Sequence, residues 1–130
     1  MKTLNKLILV TIITGSVALI SSCKKDDTGG DAEIHAKIFH GSTPMIGTTT
    51  LYVKFGAKTE PSEPTTNYDL KLTGEADDNH VHVEGLRPGS YYLYAEAFDS
   101  TLMIPVKGGV ATTIKWGERK KMKEVEVQVN

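Results

Sequence analysis

His80, His82 and Glu84, in the run "HVHVE", are the residues best suited by type and spacing to chemistry. Side chains of an extended strand alternate between its two faces, so all three project from one side. Two imidazoles and a carboxylate offer the nitrogen and oxygen donors that Zn²⁺ and Cu²⁺ accept. His35, or Asp77 and Asp78 in the preceding loop, could supply a further ligand. The solvated face of a half-buried strand has the same alternation, and that plainer use of the residues is the first expectation.

Tyr92, Tyr94 and Phe98 form a second group, on the outward side of a long run with Glu96 between them. Aromatic rings with polar tips can stack on sugars or on partner side chains, and this is the preferred ligand or partner face. A neighbouring loop could cover the same rings, and pairing across strands is their expected use. No Ser–His–Asp, Cys–His or His-Glu-x-x-His arrangement is visible, so an enzyme is not expected.

Strands must position these groups. Short β-prone runs separated by Gly, Pro, Asn and Asp predict strands near Ala32–His40, Thr49–Phe55, Tyr68–Thr73 and His80–Glu84. Further strands are predicted near Ser90–Asp99, Leu102–Val106, Val110–Trp116 and Lys123–Val129. Alternation puts Ile34, Ala36 and Ile38 on one face, and likewise Leu51, Val53 and Phe55, or Tyr68, Leu70 and Leu72. Val81 with Val83, Tyr91 with Leu93, Ala95 and Ala97, and Val125 with Val127 and Val129 follow the same rule. Seven or eight such strands predict an all-β, antiparallel, Ig-like sandwich over residues 32–130. Thr28–Asp31 reads as a polar linker, and the prolines of Lys58–Thr66 argue against a central strand there.

The chain's single cysteine, Cys23, follows a distinctive start. Lys2 and Lys6 precede an apolar run from Leu7 to Ile20, then Ser21 and Ser22. That run has 14 residues, short of the roughly 20 that cross a bilayer. It reads as a cleaved signal peptide, residues 1–22, rather than a span. "LISSC" resembles the lipobox of bacterial lipoproteins. The resemblance implies acylation of the Cys23 sulfur, cleavage before it and a lipid-anchored chain. Residues 23–31 then form the lipidated cysteine and its tether. Lys25, Asp26 and Asp27 resemble the surface-export signal of Bacteroidetes-type lipoproteins, which implies the outer membrane facing the medium, with its periplasmic face as the alternative. One cysteine cannot close an internal disulfide.

Removal of residues 1–22 leaves 108 residues, with 13 basic against 16 acidic side chains. Such a balance is no footprint for nucleic acid, and this length suits one domain with a modest core. "KWGERKKMK", Lys115 to Lys123, gathers five basic residues at a turn. It could approach lipopolysaccharide phosphates, although an exposed, solvated hairpin tip is the simpler expectation.

"VHVEGLRPGSYYLYAEAF" turns through Gly85, Leu86, Pro88 and Gly89 into a strand that begins at Tyr91. The pattern resembles the carboxypeptidase regulatory-like, transthyretin-like (prealbumin-like) and collagen-binding B-type domains. It implies a sandwich with a non-catalytic adhesive, structural or accessory role. Some collagen-binding B-type domains carry a Lys–Asn crosslink promoted by a buried acid. Here that inward position is Ala95, Glu96 faces outward, and Asn130 is terminal. The crosslink is not expected. "DST", Asp99 to Thr101, resembles a bacterial O-glycosylation acceptor, with Ser100 as the modified residue. The expected role is thus a lipid-anchored binding, adhesion or assembly module with an envelope protein or glycan partner and no cofactor. The alternative is a small-ligand, Zn or Cu carrier centred on His80, His82 and Glu84.

Overall fold

The computed structural model describes residues 28–61 and 66–130. The signal segment, Cys23, Lys25, Asp26 and Asp27 lie outside the described residues. The strands are β1 (Thr28–His40), β2 (Thr43–Pro44), β3 (Thr50–Phe55), β4 (Leu70–Thr73), β5 (His80–Leu86), β6 (Gly89–Asp99), β7 (Ile104–Ile114) and β8 (Met122–Val129). They form two packed sheets, the all-β sandwich that the alternation predicts. In the first, β1 is central. It pairs with β5 and then β2 along one edge, both antiparallel, and with β8 along the other. The β1–β8 pair is parallel, the one exception to antiparallel pairing in the two sheets as described. The second sheet runs β4-β3-β6-β7.

Period-two burial builds the core. Ile34, Ala36 and Ile38 of β1 meet Val81, Val83 and Leu86 of β5, and Val125, Val127 and Val129 of β8. The facing sheet contributes Leu51, Val53, Tyr91, Leu93, Ala95, Val106 and Ile114. The turn after β5 locks the fold locally. Gly85 takes φ 71°, a conformation that costs a residue without a Cβ little. Leu86 is plugged into the core, and the buried Tyr91 donates its hydroxyl hydrogen to the Arg87 carbonyl at 2.5 Å. This is the geometry of a tyrosine corner, which pins a turn to the strand that follows.

Beyond shifts of one or two residues at other strand ends and the short β2, which has no expected counterpart, four features differ from the sequence reading. β1 begins at Thr28 rather than Ala32, because Thr28 and Ala32 both pair against Leu86 across a bulge. Residues 28–31 are therefore strand rather than tether. The two runs expected at Leu102–Val106 and Val110–Trp116 are one strand, β7, paired with β6 from Ile104 to Ile114. Gly108 and Gly109 do not break it. Tyr68 lies outside β4 and does not share the inward face of Leu70 and Leu72. Trp116 sits in a single 3-10 turn, Trp116–Glu118, rather than in a strand.

Gly108 has a steric reason. The sheets close where Lys107 and Asn130 exchange backbone hydrogen bonds of 3.2 and 2.9 Å. A Cβ on Gly108 would stand 2.0 Å from the Gln128 carbonyl oxygen. Gly108→Ala should therefore lower stability by about 1–3 kcal/mol, the usual cost of overpacking. Gly117, with nothing within 4 Å of its Cβ position, should tolerate alanine within about 0.5 kcal/mol. Denaturant unfolding of both variants checks this, and equal losses would contradict the close approach.

Candidate functional site

The outer face of the first sheet follows from its core. With Ile34, Ala36 and Ile38 inward, Glu33, His35 and Lys37 must point out, and Val81 and Val83 send His80, His82 and Glu84 out on β5. Antiparallel register sets His35 directly opposite His82, and Lys37 opposite His80. The His35 and His82 rings meet edge to face, with centroids 4.0 Å apart at 71°. Glu33 lies two residues before His35 on the same face. Its Oε1 accepts hydrogen bonds from His35 Nε2 and from His82 Nδ1, the latter at 3.3 Å. These three ligand atoms lie within 4.8 Å of one another. The hydrogen bond from His35 holds the Glu33 carboxyl below the usual carboxylate range, and the bond from His82 adds to it against partial burial.

Among the described residues, then, the group that converges is Glu33, His35 and His82, not His80, His82 and Glu84. His80 turns instead to Asp78, 2.6 Å from Nδ1 to Oδ1, and the same oxygen accepts the His80 backbone N–H at 3.1 Å. The hydrogen bond from His80 holds Asp78 below the usual range. Register explains the absence of Glu84. One more ladder step would set it opposite Glu33, but a bulge between Ala32 and Ile34 shifts the pairing there. Carboxylates directly opposite one another repel.

The aromatic face is spent on packing. Tyr94 points away from the core yet is only 3% exposed. Tyr52, its partner across β3 and β6, lies 6.1 Å away by ring centroid, and Tyr68 stacks on it at 5.8 Å. Burial pushes the hydroxyls of Tyr68, Tyr92 and Tyr94 up. Phe98 stands apart from these rings and is half exposed. Tyr92, Tyr94 and Phe98 therefore do not form one open surface. Ala95 is inward and Glu96 outward, so an alanine stands where that crosslink would need a buried acid.

Phe98 belongs to a different patch, at the end of the sandwich where β1 finishes. Ile46, Leu102, Met103 and Ile104 are exposed beside the β6–β7 turn. Asp99 holds that turn. Its Oδ1 accepts the Thr101 and Leu102 N–H groups at 2.9 and 3.0 Å, while His40 Nδ1 donates to Oδ2 at 2.8 Å. Ser100 is exposed at the turn's tip. Asp99 is thus a buried clamp from β6 to the end of β1, a role the acceptor-like "DST" run does not reveal.

The hydrogen bond from His40, with those from Leu102 and Thr101, holds Asp99 below its ordinary value. A depressed carboxylate stabilises the fold above its unfolded pKa, about 3.9, and loses that contribution as pH falls through its lower folded value. Asp99→Asn should therefore unfold more readily than wild type at pH 7, with the difference shrinking below about pH 4. Thermal unfolding across this range tests it; a constant difference would contradict the clamp.

No protein-family model, curated protein or solved structure matches the chain, so its function is argued from these groups.

Proposed function

We propose that the chain is a lipid-anchored lipoprotein of the cell envelope. It is held at the outer membrane facing the medium, and its sandwich acts as a non-catalytic binding or assembly module. The carrying observation is that the two ends of the sandwich differ, and that β1 begins at one of them. Thr28 lies five positions after Cys23, a reach of at most about 17 Å. An acylated Cys23 would keep the start of β1 close to the lipid. Two or more acyl chains give stable attachment where one is marginal.

That same end carries the β7–β8 connection. Trp116 is 71% exposed there, with the Arg119 guanidinium 4.8 Å from its ring centroid. Lys115, Lys120 and Lys121 are exposed around it. Tryptophan favours the headgroup level of a bilayer, and each basic side chain contributes about 1 kcal/mol near an anionic surface. The 13 residues of β1 then carry the chain about 40 Å away. At that far end stand Ile46, Phe98, Leu102, Met103 and Ile104. A basic, Trp-bearing end beside the anchor and an apolar end away from it suit a module that meets a protein partner beyond the membrane surface. A second reading, a small-ligand or metal carrier, is favoured by the convergence of Glu33, His35 and His82.

In cells fed labelled palmitate, the wild-type chain should take up label and fractionate with the outer membrane, and Cys23→Ala should lose both. Retention of label by Cys23→Ala would overturn the anchor. Protease added to intact cells should digest the domain, whereas full protection contradicts outward display. A photo-crosslinking residue in place of Met103 should give one discrete adduct, lost with Leu102→Asp; no adduct argues against the apolar end as the binding end.

A further inference from the structure

We propose that Glu33, His35 and His82 form a binding site for a divalent transition-metal ion, Zn²⁺ or Cu²⁺, on the outer face of the first sheet. The inference deepens the carrier reading by naming its ligand class, and it does not depend on the anchor.

Convergence is the first support. His35 Nε2 and His82 Nδ1, from neighbouring strands, aim at one oxygen of Glu33, and all three atoms fall within 4.8 Å. Donor atoms around a tetrahedral zinc, with bonds of about 2.0–2.1 Å, lie roughly 3.3–3.4 Å apart. Small side-chain rotations close the difference while the backbone stays in register. Each imidazole now presents an N–H to the carboxylate. A metal takes the lone pair at that nitrogen instead, and the hydrogen moves to the other ring nitrogen, so no net proton is lost from a neutral ring. Two imidazoles and a carboxylate are donors of intermediate hardness, which Zn²⁺ and Cu²⁺ accept and which leave coordination positions open to water or a partner's group.

The surroundings favour a cation. Glu84, Glu124 and Glu126 share this outer face with Glu33, and in the parallel register Glu124 stands beside His35. Lys37, the basic residue between them, is tied to Glu124 at 3.1 Å. The His35 side chain is only 19% exposed, so its partners act through a medium less screening than water. The site also rests on strands rather than on a loop, with His35 and Glu33 on central β1 and His82 on its neighbour β5. β1 is paired along both edges, which fixes His35 and Glu33 before any ion arrives.

Titration of the full chain in detergent with Zn²⁺ alone, followed by calorimetry, tests the site. One ion per chain is expected, with affinity falling on acidification because ligand nitrogens must be unprotonated. His35→Gln and His82→Ala should each weaken binding by at least about 10-fold, and His80→Ala should leave it unchanged. Zn²⁺ should raise the unfolding temperature of wild type but not of His82→Ala, which separates lost ligation from lost folding. Cu²⁺ should broaden the imidazole resonances of His35 and His82 before that of His40. Absence of binding overturns the proposal, as does wild-type affinity when His35→Gln and His82→Ala are combined. Loss of binding in His80→Ala would also overturn it, returning the ion to His80, His82 and Glu84. Palmitate labelling and the Met103 crosslink are independent of metal, so failure here is distinguishable from failure of the anchored-module reading.

Discussion

Burial of one face of β1 decides most of what this molecule can do. β1 is hydrogen-bonded along both edges, so its side chains have only inward and outward positions. Ile34, Ala36 and Ile38 are fully buried. A one-residue slip would send all three into water and bring Glu33, His35 and Lys37 into the core. Each large aliphatic group so exposed would forfeit about 1.5–3 kcal/mol, and each charge drawn inside would add a desolvation cost of its own. The hydrophobic effect therefore fixes the donors on the outer face without any contribution from the donors themselves.

The two sheets are then joined by polar contacts at their margins. Lys107 and Asn130 bridge β7 to the end of β8 through the backbone, with Gly108 making room for the approach. At the end where β1 finishes, the Asp99 carboxylate receives His40 from the first sheet while capping the turn of the second. Asp99 is 4% exposed, and a buried carboxylate is tolerated only when its oxygens are satisfied. The clamp and the exposed apolar side chains of Leu102 and Met103 thus arise from one turn. Met103 adopts φ 57° there, an uncommon conformation for a residue with a side chain, and the capped backbone on its N-terminal side helps to hold it.

Periodicity made the inward faces legible, because apolar alternation records the core directly. Val81, Val83, Tyr91, Leu93, Val125 and Val127 all lie where that rule puts them. The turn around Leu86 and Tyr91 was equally readable, since its parts are adjacent in sequence. What the sequence left open was register between strands far apart in the chain. Glu33 meets His82 across 49 positions, and a bulge near Ala32 decides that Glu84 is not in the group. No local pattern encodes either fact. Glycine misled in a different way: "KGG" reads as a break in β7, whereas Gly108 serves a close approach between sheets. Alternation groups Tyr68 with Leu70 and Leu72, but Tyr68 lies just before β4, where strand parity no longer applies, and it packs on the opposite face.

The division between faces and ends has a physical basis. Loops at the two ends can vary without disturbing the core, and they carry the contrasting surfaces, basic beside Trp116 and apolar beside Met103. The outer face of β1 and β5 is the reverse case. Every position there alternates with a buried neighbour, so the backbone beneath a group placed on it is set by the core. His35 and His82 are consequently set opposite one another by register, with Glu33 hydrogen-bonded to both. Rigid placement lowers the ordering cost of binding a small ion, whereas an exposed apolar end needs no such preorganisation to meet a broad protein surface. On the functions proposed above, the sandwich would serve two kinds of recognition in two places, a small preorganised site on a sheet face and an adaptable contact at a turn.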